Sequence, residues 1–228
     1  RDRKEVSIME YKCAKRLEHF TTGIFAALDE KKDKLVKEGR TIYNLSVGTP
    51  DFKPPKHIMD AVTEAVQDTD NYKYSLADMP ELLEAVQYRY EKRFGVHVEK
   101  DEIMSVYGSQ EAMAHIGMVF CDPDNVILVP NPGYPMFEMS GILAKANVEY
   151  YTIEEENGYL PDLAELRSLV DVNTKLICVN NPNNPTGALM SGALLRQIVE
   201  IAKSVDAYVL CDEVYRNLTQ VDGWCESI

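Results

Sequence analysis

The sequence lacks any apolar run approaching the roughly 18 residues of a membrane-spanning helix. It also shows no charged-then-apolar leader of the secretory kind, so a cytoplasmic protein with no membrane partner is the expectation. Its five cysteines, Cys13, Cys121, Cys178, Cys211 and Cys225, are odd in number and form no C-x-x-C pair. That pattern argues against both a disulfide framework and a zinc site; Cys121, Cys178 and Cys211 sit in apolar settings and read as small buried hydrophobes. The four histidines, His19, His57, His97 and His115, are isolated and show no metal or catalytic spacing. Positive charge is also in short supply: 24 Lys and Arg stand against 37 Asp and Glu, for a net charge of -13. Such a field repels nucleic acid and anionic membranes, so any anionic ligand must be held by local donors. Neither G-x-G-x-x-G after a strand nor G-x-x-x-x-G-K-[ST] occurs, which removes the usual dinucleotide and nucleoside triphosphate sites.

What is present is an ordinary globular composition, 45% hydrophobic and 27% charged, in 228 residues, enough for one large domain or one and a half. Apolar residues at helical spacing predict helices within residues 19–39, closed by Gly39, within 56–67, and within 79–95, closed by Gly95. "TIYNLSVG" reads as a short strand between the first two. Beyond residue 100, strand candidates "EIMSVYG", "NVILVP", "VEYYTI", "KLICVN" and "AYVLCDE" alternate with helical segments. Alternation of this kind predicts an α/β fold, a mostly parallel sheet sandwiched by helices.

Four stretches carry chemistry, all at the carboxyl ends of strand candidates, where open α/β sheets bind ligands. In "SVYGSQEAMAHIG", Gly108 turns the chain into a helix whose first turn holds Ser109 and Gln110. Unpaired amides there hold a phosphate without lysine; the plainer alternative is that Ser109 caps the helix. In "PNPGYPMF", Tyr134 either stacks on a flat heteroaromatic ligand or anchors its loop in the core. "NNPNNPTG", residues 180–187, holds more asparagine than a turn requires, which points to amides aimed into a crevice. In "AYVLCDEVY", Asp212 ends a strand expected to be buried on both faces. A carboxylate at that depth needs a cation, donors, or a capping role in the next turn; Tyr215 follows three residues on.

From "NLSVGTPDF" to "CDEVY" the chain resembles the pyridoxal-phosphate enzymes of fold type I, most closely the class I/II aminotransferases, with "NPNNPTG" and "DEVY" in order as the specific motifs. The resemblance implies pyridoxal 5'-phosphate as cofactor, an amino acid and a 2-oxo acid as substrates, and a homodimer. It implies that Gly108, Ser109 and Gln110 hold the cofactor phosphate, that Tyr134 stacks on the pyridine, and that Asn184 and Tyr215 bond its phenolic oxygen. Asp212 would pair with the pyridine nitrogen, Gly48 would contact the substrate carboxylate, and Tyr74 would reach the neighbouring subunit's phosphate. Residues 1–50 are expected to form an N-terminal arm and a small-domain segment, and residues 51–228 a partial large cofactor-binding domain. The family's Schiff-base lysine follows "DEVY", and no lysine stands after Lys203; the expectation is an amino-terminal portion, inactive alone. A carbon-sulfur β-lyase and a non-catalytic regulator on the same fold are the alternatives.

Overall fold

The inner strands of the sheet carry continuous apolar stretches, because a strand covered on both faces leaves no place for polar alternation. The computed structural model describes residues 12–20, 24–45, 48, 50–219 and 225–228. Four strands, β1 (Val126–Asn131), β2 (Asn147–Thr152), β3 (Thr174–Asn180) and β4 (Tyr208–Asp212), pair in the order β2-β1-β3-β4. Every pairing is parallel. Helices connect them: α4 (Ser109–Phe120) precedes β1, α5 (Pro135–Ala144) joins β1 to β2, α6 (Leu163–Leu169) joins β2 to β3, and α7 (Gly192–Ser204) joins β3 to β4.

Alternate residues of the inner strands build two cores. Leu128, Ile177 and Val179 pack with Leu166 of α6 and with Leu195, Ile198 and Ile201 of α7. Ile127, Val129, Leu176 and Cys178 face the other way, toward Met113 of α4 and Phe137 of α5. The sheet is therefore the middle layer of a three-layer α/β/α sandwich, as the alternation predicted. Each fully buried Leu or Ile contributes about 1.5–3 kcal/mol by leaving water. Tyr151 is buried as well, its hydroxyl donating to the Cys178 carbonyl at 2.7 Å. On the α4–α5 side the helices approach closely at Gly117, where a Cβ would lie 2.7 Å from both Ser140 O and Ser140 Oγ.

Two strand expectations fail. Residues 103–107 of the "EIMSVYG" candidate form no strand, and residues 41–45 of "TIYNLSVG" are irregular, while residues 46 and 47 lie outside the described residues. A strand is defined by a neighbour's hydrogen bonds, and among the described residues neither segment has one. The burial expected of β4 is also corrected. It is an edge strand, with Tyr208 58% exposed, and only its last residue, Asp212, is buried.

Contacts divide the chain into two compact units, residues 22–105 and residues 106–228 with 1–21. The first holds α1 (Ile24–Lys37), α2 (Lys56–Ala65) and α3 (Pro80–Phe94). α3 begins with Pro80 at its first turn and stops at Gly95, whose φ of +65° admits glycine readily. Gly39, just past α1, takes φ +82°, which gives both helices the glycine stops read from the sequence. On α2, Ile58, Met59 and Val62 remain about half exposed.

Candidate active site

Parallel pairing puts the carboxyl ends of all four strands on one edge of the sheet, so the sequence stretches that follow β1, β3 and β4 come to the same side. Asn180 and Asp212 are direct register partners at the tips of β3 and β4. The Asn180 side chain, almost wholly buried, donates through Nδ2 to the Asp212 carbonyl at 2.9 Å and accepts the Asn184 N–H at 2.6 Å. The Asn181 N–H reaches the same Asp212 carbonyl at 2.9 Å.

Across this junction Asn184 Nδ2 donates to the Tyr215 hydroxyl at 3.3 Å. The structure thus brings Asn184, Asp212 and Tyr215, drawn from two separate stretches of sequence, to one place. A cavity of about 510 Å³ opens beside them, lined by Asn183, Asn184, Tyr215, Leu218 and Thr219 among others; Asp212, Tyr134 and Ser109 do not line it.

The other asparagines of the loop have a different use. Asn181 Oδ1 accepts from Met190 N at 2.9 Å, its Nδ2 donates to the Glu226 carbonyl at 3.1 Å, and Asn183 Nδ2 donates to Thr186 Oγ1 at 2.8 Å. Gly187, at φ +74°, closes the turn with its N–H on the Asn183 carbonyl at 2.8 Å. Of the four asparagines, three therefore serve the loop's own backbone and neighbours, and Asn184 alone extends its amide to a tyrosine in the turn after β4. The Asn181–Pro182 and Asn184–Pro185 bonds are cis.

Asp212 is 9% exposed and has no ion pair among the described residues. Its Oδ1 accepts one bond, from Val214 N at 3.2 Å. Burial raises its carboxyl above the usual value, the Val214 amide works against that rise, and the neighbouring Glu213 charge adds to it. Such a group gains most from a positively charged partner. Next to it, Glu213 is bound by Arg216 at 3.1 Å. Cys211, by contrast, has its thiol pushed far up by burial.

Gly108 is the residue before α4, at φ +89° and with no side-chain cap on the helix. Ser109 is the first helical residue, so the alternative in which it caps the helix is not what forms. The Gly108 N–H bonds to Val106 O and the Glu111 N–H to Gly108 O, and the Ser109 and Gln110 amides are the helix's first unpaired donors. The Gln110 side chain donates to the Tyr134 hydroxyl, a link between helix start and loop that the sequence reading, confined to Gln110's backbone, did not contain. Tyr134 is half-buried and meets Phe137 edge-on, centroids 6.5 Å apart; the anchoring alternative for this ring is thus partly realised.

Tyr74 and Gly48 belong to the other unit. Tyr74 is 88% exposed, and a Cβ at Gly48 would meet nothing within 4 Å. Among the described residues no group of three or more His, Cys, Asp or Glu could hold a metal, and no helix is long and apolar enough to cross a membrane.

Comparison with known proteins agrees with this architecture. Residues 40–222 match the family described as aminotransferase class I and II. An LL-diaminopimelate aminotransferase from Moorella thermoacetica is 32% identical over 213 residues, covering 92% of this chain and 54% of that protein. One from Dehalococcoides mccartyi is 34% identical over 215 residues, covering 93% and 55%. Among solved structures, alanine aminotransferase from Pyrococcus furiosus superposes with a TM-score of 0.85 at 31% identity, over 93% of this chain and 54% of that one. Substrate-bound BacF from Bacillus subtilis gives 0.86 at 28% identity, over 96% and 56%. The chain spans about half the length of the curated relatives it matches. With most of its length inside one family match and its sheet the expected parallel sandwich, the chain belongs to the class I and II aminotransferases, a family of pyridoxal-phosphate-dependent enzymes.

Proposed function

We propose that the protein transfers an amino group between an amino acid and a 2-oxo acid, with these strand ends gripping pyridoxal 5'-phosphate. The residues present fit that group. The unpaired Ser109 and Gln110 amides at the α4 start, together with the Gly108 turn, suit its phosphate. Tyr134 offers a ring face to the pyridine, held in place by Gln110. Asn184 and Tyr215, already in contact, suit its phenolic oxygen. Asp212 suits the ring nitrogen, since a buried carboxylate without a cation is stabilised by one. When bound, the cofactor supplies an electron sink for the pair left at the substrate's α-carbon. The chain's own work is to hold that ring flat, keep its nitrogen protonated through Asp212, and polarise its oxygen through two donors.

The observation that carries this reading is Asp212: a buried carboxylate with no ion pair among the described residues, on a residue whose main-chain carbonyl is tied by the Asn180 side chain to the loop that presents Asn184 to Tyr215. The proposal keeps residues 1–50 as an arm and small-domain segment and residues 51–228 as part of the large domain. It assigns Gly48 to the substrate carboxylate and Tyr74 to the phosphate of a second subunit in a cytoplasmic homodimer, with the Schiff-base lysine outside residues 1–228.

The test is made on the protein expressed from its whole gene. It is incubated with pyridoxal phosphate, a 2-oxo acid and a panel of amino acids that begins with LL-diaminopimelate, the compound named in its relatives. Accumulation of the new amino acid supports the reading. Release of ammonia and pyruvate without amino transfer would replace it with β-lyase chemistry.

A further inference from the structure

Two of the side chains proposed to touch the cofactor, Asn184 in the loop after β3 and Asp212 at the end of β4, must be held at a fixed spacing. We infer that Asn180 is the positioning residue that sets this spacing, an inference that rests on the cofactor reading above. Its carboxamide is about 1% exposed and uses both ends. Oδ1 takes the Asn184 N–H at 2.6 Å, and Nδ2 gives to the Asp212 carbonyl at 2.9 Å. A single rigid amide therefore ties the main chain of the residue facing the cofactor oxygen to the main chain of the residue facing its ring nitrogen.

No other described side chain does this. Asn181 bonds to Met190 and Glu226, and Asn183 to Thr186. Without the Asn180 clamp, Asn184 keeps its turn through Gly187 and the start of the loop keeps the Asn181 N–H on the Asp212 carbonyl, but the Asn184 main chain loses its own tie to β4, and its side chain is free to settle on Tyr215 alone. The ring nitrogen and the phenolic oxygen are fixed points of one planar molecule, so a drift of one grip relative to the other weakens both. Ideal hydrogen bonds tolerate only a few tenths of an ångström before losing strength.

A double-mutant cycle tests this on the protein expressed from its whole gene. The probe is pyridoxamine 5'-phosphate, which lacks the aldehyde that reacts with surface lysines, and affinity is read by equilibrium dialysis. Asn184→Ala alone is expected to weaken binding about tenfold, and Asn180→Ala alone about fivefold. In the Asn184→Ala background, Asn180→Ala is expected to cost less than about twofold, because its effect runs through Asn184. Additive losses would overturn the inference and make Asn180 a purely structural residue, while leaving the cofactor site intact. Full affinity in Asn184→Ala, or no binding by the wild type, would overturn the site reading and this inference with it. If Asn180→Ala does not fold, Asn180→Ser, too short to span both bonds, takes its place in the same cycle with the same criterion.

Discussion

Replacing Asp212 with asparagine separates what the fold wants from what the site wants. The carboxylate is 9% exposed, has no ion pair among the described residues and has Glu213 as its neighbour. Its folded pKa stands above the reference value of 3.8, so the folded state binds the proton more tightly than the unfolded chain does. The stability this provides is complete below 3.8 and is lost as pH rises through the raised folded value. At neutral pH the ionised group is a burden on the fold.

Asparagine keeps an acceptor for the Val214 amide and removes the charge. We expect Asp212→Asn to be more stable than wild type at neutral pH by about 1–2 kcal/mol, from the penalty of an under-satisfied buried polar group. For a protein of this size that is a rise of roughly 2–8 °C in Tm. The advantage should shrink as pH is lowered toward 4. With cofactor the sign reverses. A charge-assisted bond of about 1.5–3 kcal/mol is lost, weakening affinity roughly 10- to 150-fold. Calorimetric melts across pH and pyridoxamine phosphate titrations measure the two effects. A variant that is less stable than wild type without cofactor, or that binds it as tightly, refutes the reasoning.

Gly117→Ala places a methyl 2.7 Å from Ser140 O and Oγ and forces α4 from α5; a loss of about 1–3 kcal/mol is expected in denaturant unfolding. Tyr151→Phe removes the donor to the Cys178 carbonyl and should cost about 1 kcal/mol in the same assay. Burial pushes the Cys178 thiol up, whereas Cys13 is exposed, so alkylation at mildly alkaline pH should modify Cys13 at least about tenfold faster, with Cys178 reacting only after unfolding.

The parts of the fold that are legible in the sequence are those whose signal is local. The middle of β3, Leu176 to Val179, is an unbroken apolar run, and α1 and α3 stop at glycines that take positive φ. The segments at 41–45 and 103–107 have the composition of strands but form none among the described residues, and pairing is not written in a single segment. The exposed middle of β4 has the same origin, since edge or centre depends on what stands beside a strand. At the site, the motif "NPNNPTG" marks Asn184, but which asparagine serves the loop and which reaches a partner depends on β4 lying in register beside β3. The bonds from Asn180 to the Asp212 carbonyl and from Gln110 to Tyr134 span 32 and 24 residues, too far for any local pattern to reveal.

The central claim is that the ends of β1, β3 and β4 and the start of α4 grip one flat phosphorylated ring. Its most direct measurement is a crystal structure of the protein with pyridoxal phosphate bound. The predicted result is a ring stacked on Tyr134, with its nitrogen on the Asp212 carboxylate, its phenolic oxygen on Asn184 and Tyr215, and its phosphate on the Ser109 and Gln110 amides. Density for the cofactor away from Asp212 and Asn184 would contradict the claim.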